Sequence, residues 1–123
     1  MLKLISLAIT LIHNADKHRH ISFILLKNKI VSIGYSQSKK TDPLAKQYGH
    51  RFNSVHSEIS AIKKFPFRIK KLSKCTMMNV RIMADGTIGM SKPCIHCQKL
   101  LKDFEIGNVY YTTKNGSLVK WNK

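Results

Sequence analysis

Two short runs combine side chains that can do chemistry together: His56-Ser57-Glu58 and Pro93-Cys94-Ile95-His96-Cys97. Cys94 and Cys97 are three positions apart, so on a helix they share one face and can both point at one ion. At a helix start they also meet unsatisfied backbone N–H groups and the positive end of the helix dipole, which favours thiolate over thiol. Pro93 costs nothing there, since its missing N–H has no helical partner to lose. His56 adds a nitrogen from the first turn of a second helix. One His and two Cys make a three-ligand tetrahedral zinc site with an open corner for water. Glu58, two residues past the histidine, cannot share its direction and is better placed beside that water than on the metal. There it can take a proton as the water attacks and return protons to a leaving group. A closed structural zinc site is the alternative; it would draw a fourth ligand from Cys75 or His96 and would not need the carboxylate.

The elements that must position these residues can be read from periodicity. Polar residues at Lys3, Ser6, Thr10, His13 and Lys17 are spaced 3, 4, 3 and 4 apart along an otherwise apolar start, which predicts an amphipathic helix packed on the domain. A signal-peptide core over Met1 to Ile12 is the alternative; it has no reason to show that stripe, and twelve residues cannot span a bilayer. Ile21 to Lys27 and Ile30 to Tyr35 suit an antiparallel hairpin turning at Asn28-Lys29, and the near-continuous apolar run of the first implies a central strand. Ser36 to Ser54 reads as a polar loop, long enough to be suspected of function. A helix follows from about Val55 to Lys64, capped by Asn53 or Ser54 and stopped by Pro66. Thr76 to Ala84 is the third strand and Asp85-Gly86 its turn. Cys94 to Phe104 is a helix stopped at Gly107. Val109 to Thr113 and Ser117 to Trp121 flank the hairpin signal Asn115-Gly116. The order αββαβαββ makes one α/β domain over residues 1–123, with a mixed five-stranded sheet whose fourth and fifth strands are antiparallel.

The 123 residues carry 22 Lys or Arg against 6 Asp or Glu, a net charge of +16, while 43% are hydrophobic. That excludes a disordered basic tail. Lysine alone can be inflated by an AT-rich genome, and there are 18 Lys against 4 Arg; the shortage of acids is more telling. A polyanionic partner accounts for it, a solvated surface of drifted composition being the alternative. Three cysteines, two of them a metal-ligand spacing apart, argue for a reducing, cytoplasmic setting (the host cytoplasm for a viral chain), not a secreted one. No membrane partner is implied.

In this element order the motifs resemble the cytidine and deoxycytidylate deaminase superfamily, whose signature is H-x-E followed by P-C-x-x-C. The resemblance covers most of the chain. Gly34-Tyr35, Lys40-Thr41-Asp42-Pro43, His56-Ser57-Glu58-Ile59-Ser60-Ala61-Ile62, Ser91-Lys92-Pro93-Cys94 and Val109-Tyr110-Tyr111 stand where small, largely phage or viral, deoxycytidylate-deaminase-like proteins carry similar runs. It implies the three-layer fold of that family and zinc held by His56, Cys94 and Cys97, with Glu58 as the catalytic acid and base. Further substrate contacts are implied at Ser57, at the Ser91 carbonyl beside Pro93, and in the loop holding Ser36 and Gln37. Members usually carry Asn, a sugar and base contact, where this chain has Ser36; Gln37 or Asn53 can substitute for it. Ser57 replaces the commoner Ala. Members of this family often associate, so a homo-oligomer is an allowed partner, opposed by the self-repulsion of +16.

The resemblance also separates substrates. Members that deaminate adenosine in tRNA, or cytosine in DNA and RNA, join parallel fourth and fifth strands through another helix; here only Lys114-Asn115-Gly116 intervenes, which resembles the free-nucleoside enzymes and the bacterial toxin-like deaminases instead. Cytosine is therefore the expected base. Lys39, Lys40, Lys46 and Arg51 lie in the loop before the zinc histidine. Lys63, Lys64, Arg68, Lys70 and Lys71, interleaved with Phe65 and Phe67, could line a groove by phosphate contact and base stacking. The expectation is deamination of cytosine in single-stranded DNA (or RNA) or in a cytosine nucleotide, with the strand mildly preferred. A free-nucleotide enzyme of nucleotide metabolism and a non-catalytic, zinc-stabilised nucleic-acid-binding module are the alternatives.

Overall fold

In a computed structural model, which describes residues 2–38, 42–49 and 54–122, the elements in chain order are α1 (Leu2–Leu11), β1 (His20–Leu26), β2 (Lys29–Tyr35), β3 (Gln37–Ser38), α2 (Pro43–Gln47), β4 (Ser54–Val55), α3 (Ser57–Lys63), β5 (Thr76–Ile82), β6 (Ile88–Gly89), α4 (Ile95–Asp103), β7 (Asn108–Thr112) and β8 (Leu118–Lys120). The main sheet runs β2-β1-β5-β7-β8, with the two-residue β6 folded back on the end of β5 as a sixth strand. β7 is parallel to β5, and β8 is antiparallel to β7, as the short Asn115-Gly116 connection requires.

Side chains alternate across this sheet and divide the core in two. Ala8 and Ile12 cover Ile21, Phe23, Met78, Val80 and Ile82 on one face. On the other, Ile59 and Ile62 of α3 and Leu100 and Leu101 of α4 cover Ile24, Met77 and Val109. Each of the buried Val, Leu, Ile, Met and Phe side chains among these contributes about 1.5–3 kcal/mol relative to exposure. The result is three layers, with α1 alone opposite the two helices that carry the chemistry. The stripe read on α1 holds: Lys3, Ser6, Thr10 and His13 are exposed. Among the described residues no helix is long and apolar enough to cross a membrane.

Three local boundaries differ from the sequence reading, each for a backbone reason. The hairpin turns at Lys27-Asn28, one position earlier than expected, with both residues at positive φ and Leu26 opposite Lys29. Such a turn matches the twist of the strands. The stretch 36–54 is not all loop. Asp42 caps α2 by accepting from the N–H groups of Leu44 and Ala45 at 2.8 and 3.2 Å, with Pro43 in the first turn. α3 begins at Ser57, not Val55, because Val55 pairs with Gln37 in the β3–β4 ladder and leaves His56 extended as the N-cap.

Topology then fixes the functional edge. β1 is antiparallel to both β2 and β5, so β2 and β5 are parallel to each other. α3 follows the carboxyl end of β2, and α4 follows that of β5. Both helices therefore begin over one edge of the sheet, and the chain entering β1 arrives at the same edge. A crevice outside the carboxyl ends of parallel strands is the usual ligand position in α/β sheets.

The contact that sets the height of α3 is nearly bare backbone. A Cβ on Gly34 of β2 would stand 2.2 Å from the Ala61 nitrogen and 2.2 Å from the Ser57 carbonyl oxygen. Ser32 donates to the Ala61 carbonyl at 2.6 Å, and the Tyr35 N–H donates to the Ser60 hydroxyl at 3.3 Å. Gly34→Ala is expected to cost about 1–3 kcal/mol or more, because backbone on both sides must move; urea unfolding measures it.

Asp42 gives a second test. Burial alone would raise its carboxyl above 3.8, but the Lys63 ammonium and the two capping N–H groups outweigh burial and hold it lower. A depressed folded pKa stabilises the fold above the unfolded value and loses that contribution as pH falls through the folded value. Asp42→Asn should therefore be less stable than the wild type at pH 7, and the gap should close below about pH 4, as read by urea midpoints across that range.

Candidate active site

His56, the N-cap of α3, meets Cys94, the N-cap of α4, and Cys97 in the first turn of α4. The His56 Nδ1 lies 3.6 Å from the Cys94 Sγ and 3.5 Å from the Cys97 Sγ, and the three donor atoms all fall within 4.8 Å of one another. At zinc distances of about 2.0–2.1 Å to nitrogen and about 2.3 Å to sulfur, a tetrahedral angle separates N from S by about 3.6 Å. The donors fit a zinc ion in type, number and spacing. Neither Cys75 nor His96 belongs to this group among the described residues; Cys75 is a buried core thiol whose Sγ donates to the Lys71 carbonyl at 3.4 Å.

Within this trio only Cys94 is drawn toward the deprotonated form that a metal needs, while Cys97 and His56 hold their protons. The hydrogen bond from Cys97 first, and then that from His56, pulls the Cys94 thiol down to about 3 against the opposing effect of burial. Cys97, which gives that hydrogen bond and is buried, is pushed up. His56 is raised, first by its hydrogen bond with Cys94. A cation that replaces these shared protons gains the thiolate charge they now neutralise.

Glu58 stands one residue inside α3, 6% exposed, and burial raises its carboxyl above the usual range. Its oxygens are held from two sides: the Ser57 hydroxyl donates to Oε1 at 3.2 Å, and the Asn79 Nδ2 donates to Oε2 at 3.3 Å. Asn79 is oriented in turn by Ser22, whose hydroxyl donates to Oδ1 at 2.6 Å and lies 2.7 Å from that of Ser57. Ser22 and Asn79 are directly opposed across β1 and β5 on the face beneath the two helices. A carboxyl so held can give or take a proton at a fixed point.

His56, Ser57, Glu58 and Cys94 line a cavity of about 260 Å³ whose other walls are Asp16, His18, His20, Ser36, Val55 and Lys92. Burial pushes the His20 imidazole down to about 4, with the Arg81 charge adding to the effect. Of the expected substrate contacts, Ser36 and Ser57 are therefore in the wall. Gln37, Ser91 and Pro93 are not. Gln37 is paired in the β3–β4 ladder; the Ser91 hydroxyl donates to the Asn79 carbonyl at 2.8 Å, and the Ser91 carbonyl accepts from the Asn79 Nδ2 at 3.5 Å. The Pro93 carbonyl accepts from the Gln98 side chain at 2.8 Å.

Of the cations expected to meet phosphate, none of the described ones lines the cavity. Lys39, Lys40 and Arg51, like Asn53, lie outside the described residues. Lys46 is on α2, and neither it nor Lys63, Lys64, Arg68, Lys70 or Lys71 lines the cavity. Lys63 ends α3, about 10 Å along the helix from His56, and is paired with Asp42. Lys64 donates to the Ile33 carbonyl at 3.3 Å and lies over the Tyr35 ring. Phe67 packs against Phe104, beyond the far end of α4 from Cys94, which carries the basic segment away from the cavity mouth.

Sequence reading missed Ser22, Asn79, Asp16, His18 and His20. The first two did leave a signal: each is a lone polar residue inside an apolar strand run, which in a buried strand must find a partner.

Three layers around a mixed sheet, with this donor set at the starts of two helices, define an α/β protein with a zinc-type site. The family model described as "Cytidine and deoxycytidylate deaminase zinc-binding region" matches residues 1–113, and the chain belongs to that family. Among solved structures, the dCMP deaminase of cyanophage S-TIM5 in complex with dCMP and dUMP is similar, with a TM-score of 0.59 and 14% identity over 91% of this chain and 77% of the phage chain. Its apo form gives 0.58 and 13% over 92% and 85%. No curated protein matches the chain. The purified protein is expected to carry about one zinc per chain; His56→Ala, Cys94→Ala and Cys97→Ala should each lose most of it, as read by elemental analysis.

Proposed function

We propose that this chain is a zinc-dependent deaminase that converts cytosine to uracil in a cytosine nucleotide by hydrolysis. The observation that carries the reading is a buried, doubly held Glu58 carboxyl in the same small cavity as the His56–Cys94–Cys97 donor set. Zinc held by these three residues supplies Lewis-acid activation, making water a nucleophile at neutral pH.

The chain's own groups do the rest. Glu58 accepts one proton from the attacking water and passes it to the ring nitrogen N3, then carries the second from the new C4 hydroxyl to the amine, so that water adds at C4, the C4–N bond breaks and ammonia leaves. Asn79 and Ser57 hold the two carboxyl oxygens during that transfer. The S-TIM5 enzyme, whose crystals hold dCMP and dUMP, supports a free nucleotide as the scale of the substrate.

Single-stranded DNA is the second reading. It is favoured by Phe67 and Ile69, 51% and 80% exposed amid Arg68, Lys70 and Lys71, where bases and phosphates could lie. Turnover of dCMP and of a cytosine oligonucleotide at two salt concentrations separates the readings: steep salt dependence on the oligonucleotide alone supports the strand, and robust turnover of dCMP alone removes it.

Glu58→Ala should keep its zinc and lose about 10²–10⁴-fold in ammonia release. Survival of activity on every cytosine substrate would sink the mechanism, and absence of wild-type activity on all of them would favour a non-catalytic zinc module. Asn79→Ala should retain zinc and lose about 10–100-fold in kcat, through release of Glu58.

A further inference from the structure

Resting on that reading, the walls of the cavity say which end of the substrate each part meets. Ser57 and Glu58 are buried and form its floor; His18 and Lys92 are exposed, Asp16 and His20 half-buried, and these mark its mouth. In a cytosine nucleotide the reacting C4 lies across the ring from N1, which carries the sugar. With C4 at Glu58, the sugar must lie toward the mouth, between Asp16, His18, His20 and Ser36.

Asp16 is built into that position. Its Oδ1 accepts from the Ser36 hydroxyl at 2.8 Å and from the His18 N–H at 2.9 Å, and its Oδ2 accepts from the Ser38 hydroxyl at 2.5 Å. Ser36 is fixed in its turn, accepting from the His20 N–H at 3.1 Å. These donors outweigh the burial that would raise the Asp16 carboxyl, and keep it ionised. A carboxylate accepts about four hydrogen bonds; Asp16 shows three, so acceptor capacity remains beside the cavity.

We propose that Asp16 is the specificity-determining residue at the sugar: its carboxylate, held by Ser36 and Ser38, accepts a hydrogen bond from the free 3′-hydroxyl of a cytosine deoxynucleotide. In a nucleotide the deoxyribose has no other hydroxyl to give. Inside a strand that oxygen is esterified, has no proton to donate, and brings a phosphodiester charge against the carboxylate. The pocket therefore takes a monomer, or a 3′-terminal residue, in preference to an internal one. Lys92 is the cationic side chain at the mouth on which a 5′-phosphate can rest.

The test compares dCMP with 2′,3′-dideoxy-CMP, by kcat/KM on the zinc-loaded wild type and by calorimetric binding to zinc-loaded Glu58→Ala, which needs no turnover. Losing a hydrogen bond to a charged acceptor should weaken the dideoxy ligand about 10–100-fold in both measurements. Asp16→Asn should raise KM for dCMP with little change in kcat and bring the two ligands within about threefold, since an amide accepts a neutral hydrogen bond only. An oligonucleotide with a 3′-terminal cytosine should be bound better than one with the cytosine internal. Equal binding of the two monomers to the Glu58→Ala protein, or no binding of either, overturns the proposal without any Asp16 variant. Discrimination in binding with no deamination of any substrate by the wild type would leave the sugar contact standing and refute the proposed reaction.

Discussion

The backbone contact between β2 and α3 at Gly34 governs the rest of the molecule. With no side chain between them, α3 lies down on the strand until its Ser57 carbonyl and Ala61 nitrogen fill the space a Cβ would take. That depth places His56, which precedes the helix, level with the start of α4. A nitrogen-to-sulfur spacing near 3.5 Å tolerates little error, so a larger residue at position 34 would lift the histidine away from the two sulfurs. The same depth pushes Glu58 down toward Ser22 and Asn79, where it finds partners in place of water.

Burial of Glu58 would be costly without those partners. An ionisable group out of water needs hydrogen bonds to offset lost hydration; burial raises the Glu58 carboxyl, and Ser57 and Asn79 hold it. One donor, Ser57, is on α3; the other, Asn79, comes from the sheet, where Ser22 opposes and orients it. A polar network of this kind is satisfied throughout; among the described residues no buried side-chain nitrogen or oxygen lacks a partner.

The cavity holds two of the six acids, Asp16 and Glu58, and among the described Lys and Arg residues Lys92 alone is in its wall. The basic run after α3 follows the carboxyl-terminal ends of both helices, whereas the chemistry sits at their amino-terminal ends. The helix direction, imposed by two parallel crossovers, separates this basic run from the site.

What the sequence alone determined is everything that depends on short spacing. The three-residue step of Cys94 and Cys97, the two-residue step from His56 to Glu58, the stripe on α1 and the tight Asn115-Gly116 turn are local, and local geometry is dictated by the 3.6-residue helix and the two-residue strand period. Even there the ladder between Gln37 and Val55 moved the start of α3 by two residues, since strand pairing with a distant partner leaves no local mark. Only the tertiary structure decided what joined the site from afar. Ser22 reaches Asn79 across 57 positions, and Asp16 reaches Ser36 across 20 and Ser38 across 22. Those meetings follow from strand register and from which edge each connection crosses, and neither is written in any short window of the chain.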